Sequence, residues 1–381
     1  MVSGSQKTAG SIAGAMPGSL STYLDLLRFG AALAVFIGHL VTNAKWSGIE
    51  GQTLSIQNDA VVCFFVLSGM VIGFVSERKE HDFGVYLRAR LARLWSVAIP
   101  ALLITILLDV LGHRANPSAY FAPAVGGVET LRQLLVSTLF LNQIRHWSVI
   151  PGSNLPYWSL SYEFAYYLLF GIAFYMRGWI RAGLLILCCA VIGPRILLLL
   201  PVWLLGWIAW RQRDRLSPKT GVVLFAGSIL LYLILSVSGA GPAFGRMLDA
   251  TLLGNFWLDW SRLAGWKYVL GLLVAINILG FSAFARHVSF GRGAIFIRTA
   301  AAMTFALYLL HYPLLSFFGA VLPGPPAGFL RCLEIGSLAL VSIIGLAKIT
   351  EGQKHRWRRL LDQAWPSSAL AVKEPPPNLQ P

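Results

Sequence analysis

Long apolar runs separated by short basic connections dominate the chain. They fall near residues 23–41, 58–75, 91–111, 129–142, 157–176, 180–210, 220–238, 268–285, 299–319 and 330–349. Most approach the roughly 20 residues that carry a helix through about 30 Å of hydrocarbon. The pattern therefore predicts an all-α polytopic membrane protein, a bundle of about ten transmembrane helices. Two runs depart from that length: 129–142 is short, and 180–210 is long and interrupted by Gly193 and Pro194. Read as one kinked passage, 180–210 leaves the connections 76–90, 211–219 and 286–298 on one side with both termini. Those three connections carry most of the loop arginines, so the positive-inside rule puts both ends in the cytoplasm. The expected organisation is a disordered N-terminus over 1–20 without a cleavable signal, a membrane domain over 21–355, and a basic, then Pro-rich, cytoplasmic tail over 356–381.

Composition agrees with that class and narrows it. Hydrophobic residues make up 56% of the 381 positions, charged residues 12%, and the mean hydropathy is +0.66. The formal charge of +15 does not read as a nucleic-acid surface, because the basic residues sit in the connections where topology needs them. Cys63, Cys188, Cys189 and Cys332 lie in or at the edge of apolar runs without metal-ligand spacing and read as packing residues.

Against this background the ionisable residues inside the runs stand out, since each costs at least about 2.5–3.5 kcal/mol in hydrocarbon unless it is partnered. The first run carries Asp25, Arg28 and His39. Arg28 and His39 are eleven residues apart, about 1100° of helix, so they share one face at about 16 Å separation along the axis. Asp25, one turn before Arg28, is placed to pair with it and is too far from His39 to orient it. Arg90 and Arg93 open the third run at i and i+3, a spacing that suits either a phosphate grip or ordinary topogenic charge. Glu163 lies within the run beginning near Tyr157 and needs a cation, a proton or a polar cavity. His311, beside Pro313 in the ninth run, is as compatible with packing in a kinked helix as with a site role. Ser68, in Phe64-Phe-Val-Leu-Ser-Gly69, reads as part of a close-packing notch and not as a nucleophile.

Taken in order, Leu24-Asp-Leu-Leu-Arg-Phe-Gly-Ala-Ala with His39, Phe-Phe-Val-Leu-Ser-Gly, Arg-Leu-Ala-Arg, Trp-Ser-Leu-Ser-Tyr-Glu and Leu-Tyr-Leu-Leu-His-Tyr-Pro resemble the acyltransferase 3 family of integral-membrane O-acyltransferases. The resemblance covers residues 20–355. It implies transfer of an acyl group, commonly acetyl from acetyl-CoA, to a hydroxyl of an exported carbohydrate or glycolipid, or of a small glycosylated product, in a bacterial inner membrane. No metal or prosthetic group is implied. Carried over by position, the Arg-x10-His pair is Arg28 and His39, the Arg-x-x-Arg pair is Arg90 and Arg93, the motif acid is Glu163, and the late His-x-Pro is His311. Glu351 resembles the family's late Glu, although the usual following Pro is missing, and Phe164-Ala165 replaces the usual second acid and Gln after Glu163. The expected roles are catalytic for His39, Glu163 and His311, with His39 as general base. Arg28, Arg90 and Arg93 are expected to hold the phosphates of the acyl-CoA donor. Direct transfer and a transient acyl-His39 intermediate remain equally compatible with these residues. The resemblance is to the family variant without a fused soluble hydrolase-like domain, for which the expectation is either that separate polysaccharide-assembly partners finish the transfer or that none is needed. A transporter that uses the same buried charges as a substrate or proton path is the main competitor, disfavoured by the lack of internal repeats; a non-catalytic membrane scaffold is the other.

Overall fold

A computed structural model describes residues 16–44, 50–78, 80–121, 124–253, 258–324 and 327–365, with side chains left undescribed at 50–55 and 252–253. Of the N-terminus expected to be disordered over 1–20, residues 1–15 lie outside the described residues and 18–20 begin α1; of the tail over 356–381, residues 366–381 lie outside them and 356–364 belong to α15. The described residues form fifteen α-helices joined by short turns, with no strand. In chain order these are α1 (Gly18–Asn43), α2 (Glu50–Arg78), α3 (Phe83–Ala115), α4 (Gly127–Thr138), α5 (Trp158–Tyr175), α6 (Gly178–Ile192), α7 (Pro194–Leu198), α8 (Leu200–Gln212), α9 (Pro218–Val237), α10 (Ala240–Leu248), α11 (Ala264–Phe284), α12 (Gly293–Ala302), α13 (Thr304–Val321), α14 (Phe329–Thr350) and α15 (Lys354–Ala364). Eight stretches are long and apolar enough to cross a membrane: α1, the described part of α2, α3, α7 with α8, α9, α11, α13, and α14 with α15. The protein is thus a multi-pass membrane helix bundle.

Local chemistry sets several of the helix ends. Asp82 caps α3 by accepting from Val85 N at 2.8 Å, and Ser217 caps α9 ahead of Pro218 by accepting from Thr220 N at 3.2 Å. The start of α11 is capped from a distance: Asp249 Oδ2 accepts from Leu263 N at 2.6 Å.

The path of the chain differs from the sequence expectation at two places that compensate each other. The 129–142 run does not form a crossing helix. It forms α4, whose 12 residues span only about 18 Å. A mostly exposed α4 meets the bundle at its C-terminal end, where Thr138 O accepts from Trp95 Nε1 at 2.9 Å and Ser137 O accepts from Tyr157 Oη at 3.0 Å. The 180–210 run, by contrast, is broken at Gly193, whose φ of 84° ends α6, and runs the length of the bundle twice. It starts beside Tyr175, whose hydroxyl donates to Glu80 O at 3.0 Å. At the other end Ile192 O accepts from Arg145 N at 3.0 Å and Arg195 pairs with Asp259. It then returns to the first end, where Trp210 Nε1 donates to Glu77 at 2.7 Å and Arg213 O accepts from Ser282 at 3.0 Å. One crossing lost and one gained leave Gly18 and α15 at the same end.

Closest approach within the bundle occurs where α2 crosses α8. A Cβ on Gly69 would lie 2.0 Å from Trp203 O, and one on Gly206 would lie 1.8 Å from Val66 O, so only glycine permits the two backbones to touch. This crossing holds Ser68 and Trp203 in the middle of the bundle, next to the site described below.

Candidate active site

Apart from Arg90, the ionisable residues singled out in the sequence gather into two groups, each including a residue of α1. Near the middle of the bundle is a pocket lined by Arg28 of α1, Ser68 of α2, Arg93 of α3, Glu163 of α5, and Thr304 and Tyr308 of α13. Arg28 Nη1 pairs with Asp25 at 3.1 Å, the local pairing that the i, i+3 spacing predicts. Glu163 is held from two sides: the Tyr167 hydroxyl donates to it, and Ser68 Oγ lies 3.2 Å from the same Oε1. Trp203 Nε1 in turn donates to Ser68 Oγ at 3.2 Å. Ser68 is therefore a polar support for the acid, while Gly69 beside it provides the notch.

Two donors in this pocket have no protein partner. The Arg93 guanidinium makes no hydrogen bond or ion pair among the described residues, although Glu163 and Glu351 act on it through their charge. The Thr304 hydroxyl is likewise buried and unpartnered. Glu351 approaches the pocket from the end of α14 and accepts from Ala306 N at 2.9 Å. An isolated guanidinium beside an unsatisfied hydroxyl in an apolar surround calls for an anionic or carbonyl oxygen.

Arg90 does not join Arg93. Its guanidinium pairs with Glu80 from the connection before α3, both side chains being buried, and it lies over the rings of Tyr86 and Tyr167 at 5.4 and 5.9 Å. Of the Arg-x-x-Arg pair only Arg93 lines the pocket, together with Arg28 from a different helix.

His39 and His311 meet toward the other end of the bundle. His39 Nδ1 is 2.9 Å from His311 Nε2, and His311 Nδ1 is 2.9 Å from Leu307 O. A carbonyl oxygen only accepts, so His311 Nδ1 carries the proton and its Nε2 is the acceptor. His39 Nδ1 must then be the donor, which leaves His39 Nε2 as an unprotonated lone pair. The Val35 carbonyl, one turn earlier on α1, is also within hydrogen-bonding reach of the His39 ring, and His311 on α13 is its partner from another helix. Tyr308, one turn before His311, also lines the inner pocket, and with Phe64 (ring centroids 5.3 Å apart) it forms an aromatic wall between the two groups.

The supporting residues Tyr167, Trp203, Thr304 and Tyr308 were not singled out from the sequence, because aromatic and hydroxyl side chains within apolar runs carry no pattern of their own. Among the described residues no group of three His, Cys, Asp or Glu side chains is placed to hold a metal ion.

A family model described as an acyltransferase domain matches residues 21–347. Among characterised proteins, the chain is similar to acyltransferase MdmB of Streptomyces mycarofaciens, with 25% identity over 364 residues covering 86% of this chain and 88% of that one. No solved structure matches.

Proposed function

The chain belongs to the acyltransferase 3 family, and from that membership we propose that it moves an acyl group, acetyl in the first instance, from acyl-CoA to a hydroxyl of a carbohydrate or glycolipid acceptor at a bacterial inner membrane. The observation that carries this reading is the ordered relay from His39 to His311 to Leu307 O, which leaves one imidazole nitrogen bare inside a membrane bundle. In this mechanism His39 Nε2 takes the proton of the acceptor hydroxyl as its oxygen attacks the thioester carbonyl carbon. The carbon–sulfur bond breaks, and the leaving thiolate recovers the proton from the imidazolium. His311 is a positioning residue. It accepts from His39 Nδ1 in both protonation states and fixes the ring so that Nε2 is always the reacting nitrogen.

The donor would enter from the end of the bundle that carries α15 and the basic connections, which this reading places in the cytoplasm. Arg93 and Arg28, with Thr304, are the groups fitted to its polar portion, because among the described residues neither the Arg93 guanidinium nor the Thr304 hydroxyl makes a hydrogen bond. From Arg28 the arm of the donor has about 16 Å to cover along α1 before reaching His39, beside the wall made by Phe64 and Tyr308. Glu163, held by Ser68 and Tyr167, offsets the two arginines and is positioned to orient Arg93 when the donor leaves. Arg90 is outside this set and acts as a structural ion pair.

The test is transfer of radiolabelled acetyl from acetyl-CoA into cell-envelope material by membranes containing the protein. Label with wild type and none with an equally abundant His39→Ala variant is the expected result. Equal labelling by both removes His39 from the reaction.

A further inference from the structure

A second cavity, of about 630 Å³, opens among the starts of α2, α5, α8 and α11 and the segment from α10 to α11, at the end of the bundle toward which His39 lies. Its inner wall is Val61 and Phe65, and those two side chains also line the pocket of Arg28 and Arg93, so the cavities are separated by one layer of α2. One side is aromatic: Trp158 and Trp260 stack with centroids 5.0 Å apart and planes within 3°. Trp260 Nε1 is buried and has no hydrogen-bond partner.

The charges in this cavity are unequally engaged. Asp249 is occupied by the backbone N–H groups of Leu263 and Ala264, and Asp259 by Arg195. The guanidiniums of Arg246 and Arg262, also in the lining, make no hydrogen bond or ion pair among the described residues. Lys267 Nζ donates to Trp260 O at 2.5 Å and keeps two further N–H donors. The cavity therefore offers a flat aromatic face, an unpartnered indole N–H and three cations whose neighbouring carboxylates are already occupied.

We propose that this cavity binds the acceptor as an anionic sugar unit, a glycosyl phosphate, with the sugar against Trp158 and Trp260 and the phosphate between Arg246, Arg262 and Lys267. A sugar ring presents an apolar C–H face to an aromatic plane and hydroxyls to an indole N–H, while paired guanidiniums suit phosphate oxygens. The site is a binding site in its own right; its role as acceptor site rests on the acyl-transfer reading above.

The test is equilibrium binding of radiolabelled glucose 1-phosphate to the full-length protein in lipid nanodiscs, with acetyl-CoA binding measured on the same preparation. Competition with methyl glucoside, inorganic phosphate and a prenyl-phosphate-linked glucose inserted in the nanodisc supplies the comparison. The expected result is that glucose 1-phosphate binds at least about tenfold tighter than methyl glucoside or inorganic phosphate, as one or two charge-assisted contacts imply. Arg246→Gln with Arg262→Gln should weaken it about tenfold, and Trp260→Phe should weaken it severalfold, while acetyl-CoA binding is unchanged. Tighter binding of the lipid-linked sugar supports the site and identifies a membrane-borne acceptor; equal binding supports it and identifies a soluble one. Inorganic phosphate binding as well as glucose 1-phosphate, or unchanged affinity in the arginine variants, would overturn the proposal. So would no sugar-phosphate binding by protein that binds acetyl-CoA. Sugar-phosphate binding without acetyl-CoA binding would keep the site and count against the acyl-transfer reading.

Discussion

His39 on α1 and His311 on α13 stand 2.9 Å apart, Nδ1 to Nε2, although 272 positions separate them in the chain. Because His311 is tied through its other nitrogen to Leu307 O, the pair has one allowed direction of donation, and it ends at a bare Nε2 on His39. The fully buried His311 ring is thus hydrogen-bonded through both nitrogens.

If His311 positions His39, its replacement should lower the turnover number with little change in the donor KM. His311→Ala is expected to reduce kcat about 10² to 10³-fold, within the range of positioned acid–base catalysis. His311→Gln keeps a carbonyl oxygen able to accept from His39 Nδ1 and should recover part of that loss. Steady-state kinetics on the two variants check this; equal losses would mean that acceptance of the hydrogen bond is not what His311 provides.

Arg93 and Arg90, one helical turn apart, should fail in different ways. Arg93→Ala removes a cation without a protein partner and is expected to raise the KM for acyl-CoA about tenfold or more at near-normal stability. Arg90→Ala breaks its buried ion pair with Glu80, a loss of about 3–5 kcal/mol in stability, since both side chains of that pair are only 8% exposed. Donor titration and thermal unfolding in the same detergent distinguish the two.

At the crossing of α2 and α8, Gly206→Ala would place a methyl group 1.8 Å from Val66 O if nothing moved. Separation of the helices would also pull Trp203 from Ser68 and so disturb Glu163. A destabilisation of about 1–3 kcal/mol or more is expected, seen as a lower Tm, together with a loss of donor affinity. The same substitution at Gly183, where a Cβ meets nothing within 4 Å, should leave both unchanged.

What the sequence made legible is local or carried by order along the chain. The membrane class follows from the apolar runs, the pairing of Asp25 with Arg28 from their three-residue spacing, and the family from a succession of motifs. The path of the chain was harder to read, because hydropathy alone cannot separate a 12-residue helix that meets the bundle at one end from a crossing one, nor show that Gly193 reverses the chain instead of kinking it. The two effects cancelled in the charge balance of the connections. Apart from the pairing of Arg28 with Asp25, the partners of the site side chains were not legible. Whether Arg90 or Arg93 faces the pocket depends on Glu80 reaching back to Arg90, and the side-chain partner of His39 lies on a helix that only the folded bundle brings near.

The central claim is that His39 Nε2 accepts the proton of the acceptor hydroxyl. The most direct measurement is single-turnover acyl transfer by wild type and His39→Gln, each saturated with acyl-CoA and matched in donor affinity. The account predicts a fall of about 10² to 10⁴-fold in the transfer rate with acyl-CoA binding unchanged. Transfer by His39→Gln at the wild-type rate would contradict it.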